Sequence, residues 1–199
     1  MNTQTATETE TQPQTPAAAP VGIQRIALTG FMGAGKSTVG RLLAARLGWN
    51  FLDLDTHLEQ RAGLTVPEIF SQHGEARFRR LESSALASAL SQHSTVIALG
   101  GGVPESITNR LLLEQTPGTF TIFLDAPFSV LFDRCVLQDI ARPVLAEPDA
   151  AQVRFNSRHP LYTRLARLTV ETANLTPEET VEILLAKFSQ LQQAIPYHS

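Results

Sequence analysis

A chain of 199 residues, 43% hydrophobic and 18% charged, has the size and composition of one α/β domain with a real core. No apolar run is long enough to span a bilayer, and the net charge of −3 argues against non-specific nucleic-acid binding while leaving room for a local basic pocket. The single cysteine, Cys135, permits neither an intramolecular disulfide nor a cysteine metal cluster, which fits a reducing, cytoplasmic setting.

Residues 1–20 are mostly Thr, Gln, Glu, Pro and Ala, too poor in apolar groups to offset the entropy of ordering, and are expected to be a disordered tail. They lack the basic start and apolar stretch of a secretory signal. From Gln24 onward strand-like and helix-like segments alternate, which predicts one domain over 21–199 with a mostly parallel sheet flanked by helices. The first strand is expected over Arg25–Thr29, followed by Gly30-Phe31-Met32-Gly33-Ala34-Gly35-Lys36-Ser37-Thr38 and a helical pattern over Val39–Leu47. A second strand, Phe51–Asp55, would place Asp53 and Asp55 on one face near its carboxyl end. A short helix over Thr56–Ala62 and a capping box, Thr65-Val66-Pro67-Glu68, precede a long helix from about Glu75 to Gln92.

The run Thr95–Leu99 reads as a strand buried on both faces and ends in Gly100-Gly101-Gly102. Pro104–Leu113 is expected as a helix, Thr119–Leu124 as a strand, and Ala126–Cys135 as a helix begun by Pro127. The stretch 136–148, with Arg142-Pro143, is expected as a mobile lid, followed by a helix to about Arg158, a strand near Leu168–Glu171 and a capped helix from Thr176 to about Gln193.

The loop from Gly30 to Thr38 fits G-x-x-x-x-G-K-[ST] between a strand and a helix. Its glycines let backbone N–H groups converge on phosphate oxygens, and the following helix aims its positive end at them. Contacts to a nucleoside triphosphate are therefore expected from Gly33, Ala34, Gly35, Lys36, Ser37 and Thr38, with Lys36 reaching the β- and γ-phosphates and Ser37 offering an oxygen to one Mg²⁺. Glycine-rich turns without a ligand are the plain alternative, but the lysine and hydroxyl in place leave it a small share.

Beyond that loop, Asp53-Leu54-Asp55, Phe78-Arg79-Arg80-Leu81-Glu82, Gly100-Gly101-Gly102, Arg142-Pro143 and Arg158-His159-Pro160-Leu161-Tyr162 stand in an order and at separations that resemble shikimate kinase over roughly 26–187. Each motif alone arises by chance; their co-occurrence in register is specific. The resemblance implies a P-loop three-layer sandwich with a central, mostly parallel five-stranded sheet, and transfer of the γ-phosphoryl group of ATP to the 3-hydroxyl of shikimate. It implies Asp53 on the Mg²⁺ side, Asp55 on the substrate hydroxyl, Arg79 and Arg158 on the substrate carboxylate, and Arg142 swinging over the phosphates. Lys36, Asp55 and Arg142 are the expected catalytic residues.

The residue chemistry fits. A carboxylated polyol suits planar, bidentate cations, and arginine provides them better than lysine. Gly101 and Gly102 would admit main-chain N–H groups to the substrate, or simply form a tight strand-to-helix turn, and both readings are compatible. Phe78 suits a pocket wall or the core equally, while Arg77 and Arg80 read as surface salt-bridging residues. Where many family members carry an adenine-stacking arginine, this chain has Arg134-Cys135, with Cys135 at that position; either Arg134 is the ATP contact from one residue earlier or adenine is held by other contacts, and Cys135 is expected as a small buried apolar residue. The expected partners are ATP and shikimate, with a cytoplasmic monomer and no nucleic acid or membrane. A gluconate-type kinase is the nearest rival, and a ligand-sensing regulator would need a DNA-binding domain for which the short tail leaves no room.

Overall fold

The computed structural model describes residues 17, 21–137 and 147–193. Among them five strands form one sheet in the order β2-β3-β1-β4-β5, with every neighbouring pair parallel. The strands are β1 (Arg25–Thr29), β2 (Asn50–Asp53), β3 (Thr95–Ala98), β4 (Thr119–Asp125) and β5 (Leu168–Glu171). The helices are α1 (Lys36–Leu47), α2 (Leu54–Ala62), α3 (Val66–Leu90), α4 (Ile107–Gln115), α5 (Phe128–Leu137), α6 (Pro148–Leu165) and α7 (Pro177–Gln193), with a 3-10 turn at Val103–Glu105.

Parallel strands need crossover helices, and those helices cover both faces of the sheet. The pleat divides the strand residues accordingly. Ile26, Leu28, Val96 and Ile122 pack with Val39, Leu43 and Leu47 of α1 and Val181, Leu184 and Phe188 of α7. Ala27 and Ile97 turn the other way, onto Leu54 and Leu58 of α2, Ile69, Phe78, Leu86 and Leu90 of α3, and Leu113 of α4. β1 lies mid-sheet with all five residues buried, so the loop after it opens at the centre of the carboxyl edge, where open parallel sheets bind ligands.

Several boundaries differ from expectation for identifiable reasons. β2 ends at Asp53 because its carboxylate caps α2, accepting from the Asp55 backbone N–H at 3.2 Å. Asp55 therefore lies in the first helical turn rather than on a strand, and the two carboxylates do not share a strand face. α1 begins at Lys36, three residues before the expected start. Pro104 sits in the 3-10 turn rather than in a helix, and α4 follows it. Pro160 lies inside α6 without ending it at Arg158, because Tyr162 and Leu165 beyond it are buried in the core. Of the expected lid, Val136 and Leu137 belong to α5 and Pro148 to α6; Arg142 and the other residues of 138–146 lie outside the described residues, as does the 1–20 tail apart from Ala17.

Candidate active site

The site is built at the carboxyl edge of the sheet, where the loops after β1, β2 and β3 converge. Gly35 is the N-cap of α1 and gives it no side-chain cap, and the first turn has no acidic residue, so its leading N–H groups and dipole are left for an anion. The Lys36 ammonium folds back over the loop, donating to the carbonyls of Gly30 and Phe31, each at 2.9 Å. The Ser37 hydroxyl donates to Asp53 Oδ2 at 2.6 Å, joining the phosphate loop to the end of β2. Ala34 is buried beneath the loop and Thr38 is exposed on the first turn of α1.

A cleft of about 550 Å³ opens beside this loop, and Lys36, Asp55, Phe78, Arg79, Gly101, Gly102 and Arg158 all line it. The expected substrate set, drawn from four separate stretches of sequence, therefore meets in one space. Gly100 also lines it, and a Cβ there would lie 2.7 Å from Asp55 Oδ1, so the first glycine of the triplet makes room for the carboxylate. A Cβ at Gly102 would likewise come 2.6 Å from Arg79 Nη1. Phe78 fulfils both of its readings: it lines the cleft, is 6% exposed and packs in the core with its ring 4.6 Å from that of Phe70.

Arg79 donates to Glu82 at 3.1 Å, Glu105 at 2.8 Å and Glu75 at 3.3 Å. Burial alone would lower its pKa, but Glu82 first, then Glu105 and Glu75, outweigh that and raise it, so the guanidinium stays charged. The Tyr162 hydroxyl donates to the Gly101 carbonyl at 2.6 Å and fixes the glycine turn against α6; burial drives its pKa far upward, which keeps it a neutral donor. Glu82 and Tyr162 stand within the sequence motifs, and the i,i+3 spacing of Glu82 to Arg79 is the local signal for their pairing. Met32, at an unspecified position of the phosphate loop, also lines the cleft, as does Arg154, which carries no signal in the sequence.

Arg134 is turned to the loop after β5, donating to the carbonyls of Thr172 at 2.5 Å and Ala173 at 3.2 Å. Cys135 is fully buried, and its sulfur stands 3.0 Å from where a Cβ on Gly33 would lie, so it packs beneath the phosphate loop as the small apolar residue expected. Arg77 and Arg80 are exposed, but neither forms a salt bridge among the described residues, contrary to expectation. The described residues contain no cluster of three or more His, Cys, Asp or Glu able to hold a metal, and no helix long and apolar enough to cross a membrane.

Comparisons with known proteins agree with one another. The family model for shikimate kinase matches residues 32–189. The shikimate kinase of Thermobifida fusca (strain YX) is 43% identical over 159 residues, covering 79% of this chain and 90% of its own. The structure of shikimate kinase from Acinetobacter baumannii in complex with shikimate superposes with a TM-score of 0.74 at 35% identity, covering 86% of this chain and 94% of that one. A gluconokinase from Sinorhizobium meliloti 1021 reaches a TM-score of 0.59 at 20% identity, covering 85% and 94%, and so shares the fold alone. On the family match and this degree of identity over most of its length, the chain belongs to the shikimate kinase family, whose members are ATP-dependent kinases.

Proposed function

We propose that the cleft beside the phosphate loop is where this chain transfers the γ-phosphoryl group of ATP to the 3-hydroxyl of shikimate, giving shikimate 3-phosphate and ADP. The observation that carries the reading is that Lys36, Asp55, Arg79 and Arg158 line one cleft: a phosphate cation, a carboxylate for the acceptor hydroxyl and two guanidiniums for a carboxylate face a common space. A structural relative solved with shikimate supports the choice of acceptor.

In this reading the N–H groups from Gly33 to Thr38 cradle the β- and γ-phosphates, and Lys36 leaves its loop carbonyls to neutralise the charge that develops on them. Asp55 accepts a hydrogen bond from the 3-hydroxyl, orients it in line and takes its proton as the new O–P bond forms and the bond to ADP breaks. Arg79 and Arg158 grip the substrate carboxylate, with Phe78 as a wall and the main chain of Gly101 and Gly102 along the ring. Arg134 and the loop after β5 serve the adenine end. Arg142, in a lid between α5 and α6, closes over the transferring group and excludes water.

Ser37 and Asp53 suit one Mg²⁺: they present two hard oxygens already in contact, and this ion commonly takes one or two protein oxygens and completes its shell with phosphate and water. When bound it neutralises charge on the β- and γ-phosphates. The protein works as a single-domain cytoplasmic monomer on small molecules, without nucleic acid or membrane.

Steady-state assays with Asp55→Asn test the central assignment. Turnover should fall roughly 10²- to 10⁴-fold, the usual worth of a positioned base, with ATP binding nearly intact. Full activity would sink the role given to Asp55. In the same assay Arg142→Ala should lower kcat far more than it weakens shikimate binding, and an unchanged kcat would remove Arg142 from the lid.

A further inference from the structure

Glu105 ends the 3-10 turn that follows the glycine triplet, and its carboxylate joins the two cleft arginines. Its Oε1 accepts from Arg158 Nε at 2.9 Å, while its Oε2 accepts from Arg158 Nη2 at 3.2 Å and from Arg79 Nη2 at 2.8 Å. Both arginines line the cleft, and Glu105 bridges them. Arg158 spends its Nε–Nη2 edge on Glu105, leaving Nη1 on the side of Gly101, where it stands 3.8 Å from the position of a Cβ.

The turn is fixed so as to deliver this carboxylate. The Arg110 guanidinium, from α4, donates to the carbonyls of Pro104 at 2.5 Å and Glu105 at 3.1 Å, and the Glu105 N–H donates to the Gly102 carbonyl at 3.0 Å. A side chain at Gly102 would start 3.1 Å from both Glu105 Oε2 and Arg79 Nη2 and would crowd their ion pair from one side. Two long cations from different helices repel each other at one anion site, and each loses rotamer freedom when a ligand orders it. A carboxylate shared between them relieves the repulsion and orders both before a ligand arrives. Its own repulsion of an incoming carboxylate opposes this, and the Glu105→Gln variant reads which effect wins.

We propose that Glu105 is a positioning residue that presets the spacing of Arg79 and Arg158 and the edges they present, so that the substrate carboxylate meets a ready fork. This rests on the reading of those arginines as the carboxylate clamp.

The full chain and its Glu105→Gln variant can be compared by calorimetry and steady-state kinetics, with shikimate and its uncharged carboxamide as probes. The variant should bind shikimate about tenfold more weakly, the scale of one lost charge-assisted hydrogen bond. It should raise the shikimate KM to match, hold the ATP KM within about twofold, and bind the carboxamide as the parent does. Unchanged or tighter shikimate binding by the variant overturns the proposal, the tighter case making Glu105 a competitor of the substrate. Equal losses for shikimate and carboxamide also overturn it, because they report general damage to the cleft. If the parent itself does not distinguish shikimate from the carboxamide, the arginine clamp fails, and the role of Glu105 fails with it.

Discussion

Glu82 pairs with Arg79 while only 2% exposed, and this pairing makes a prediction about pH. Burial raises its carboxyl above the ordinary range, Arg79 pulls it back down, and Asp55 and Glu105 add to the rise, for a net upward shift. An acid raised on folding binds more protons in the native state than in the unfolded one. Its contribution to stability therefore declines as pH climbs from the ordinary glutamate range to the raised value, and is level above it. Glu82→Gln deletes that decline, so in urea unfolding the variant should gain stability relative to the parent as pH rises through the window; parallel profiles would contradict the assignment. At this scale the sequence singled out residues that the structure brings to one cleft, Asp55, Arg79 and Arg158 among them, but not how they are held. Asp53, Asp55, Arg79 and Arg158 were legible from their motifs. The Glu105 bridge was not, because it spans three elements and depends on a turn direction that local pattern does not encode.

Among the elements, α3 best separates what is legible from what is not. Its start could be read: Thr65 accepts from the Glu68 N–H while Glu68 accepts from the Thr65 N–H, the reciprocal pair expected from residue types three apart. Its continuity could not, because Gly74 interrupts the segment at φ 71°, ψ 175°, a conformation reached almost only by glycine. The expected helix beginning near Glu75 is thus the second half of α3, and the capping box opens the first. This break lets the first half turn toward α2, with Val66, Pro67 and Phe70 on the cleft wall, while Phe78 and Arg79 begin the second. Gly74→Ala would meet no atom within 4 Å among the described residues, so its penalty is purely one of backbone conformation. Thermal or urea unfolding should show a loss of about 1–3 kcal/mol, and a neutral result would mean that the break relaxes freely into helix. The same contest between local patterns moved the end of β2: alternation argued for a strand through Asp55, but capping by Asp53 won.

Across the whole molecule, alternation of strand and helix was enough to predict a parallel sheet, and all four observed pairings are parallel. Strand order is a long-range property, and it is what makes the site. With β1 flanked by β3 and β4, and β3 in turn by β2, the phosphate loop, the Asp53–Asp55 turn and the glycine triplet open side by side at the carboxyl edge. Two core layers, one on each face of the sheet, hold those loops from beneath, so an anion cradle and a carboxylate-lined cleft share one rigid base. This arrangement is what the proposed transfer between two substrates requires of one site. Its most direct test is ADP release from ATP and Mg²⁺ by the purified protein, measured with and without shikimate and matched to the shikimate 3-phosphate formed. The account predicts release that depends on shikimate and equals the phosphorylated product mole for mole; release that proceeds equally without shikimate, or that leaves it unphosphorylated, would contradict it.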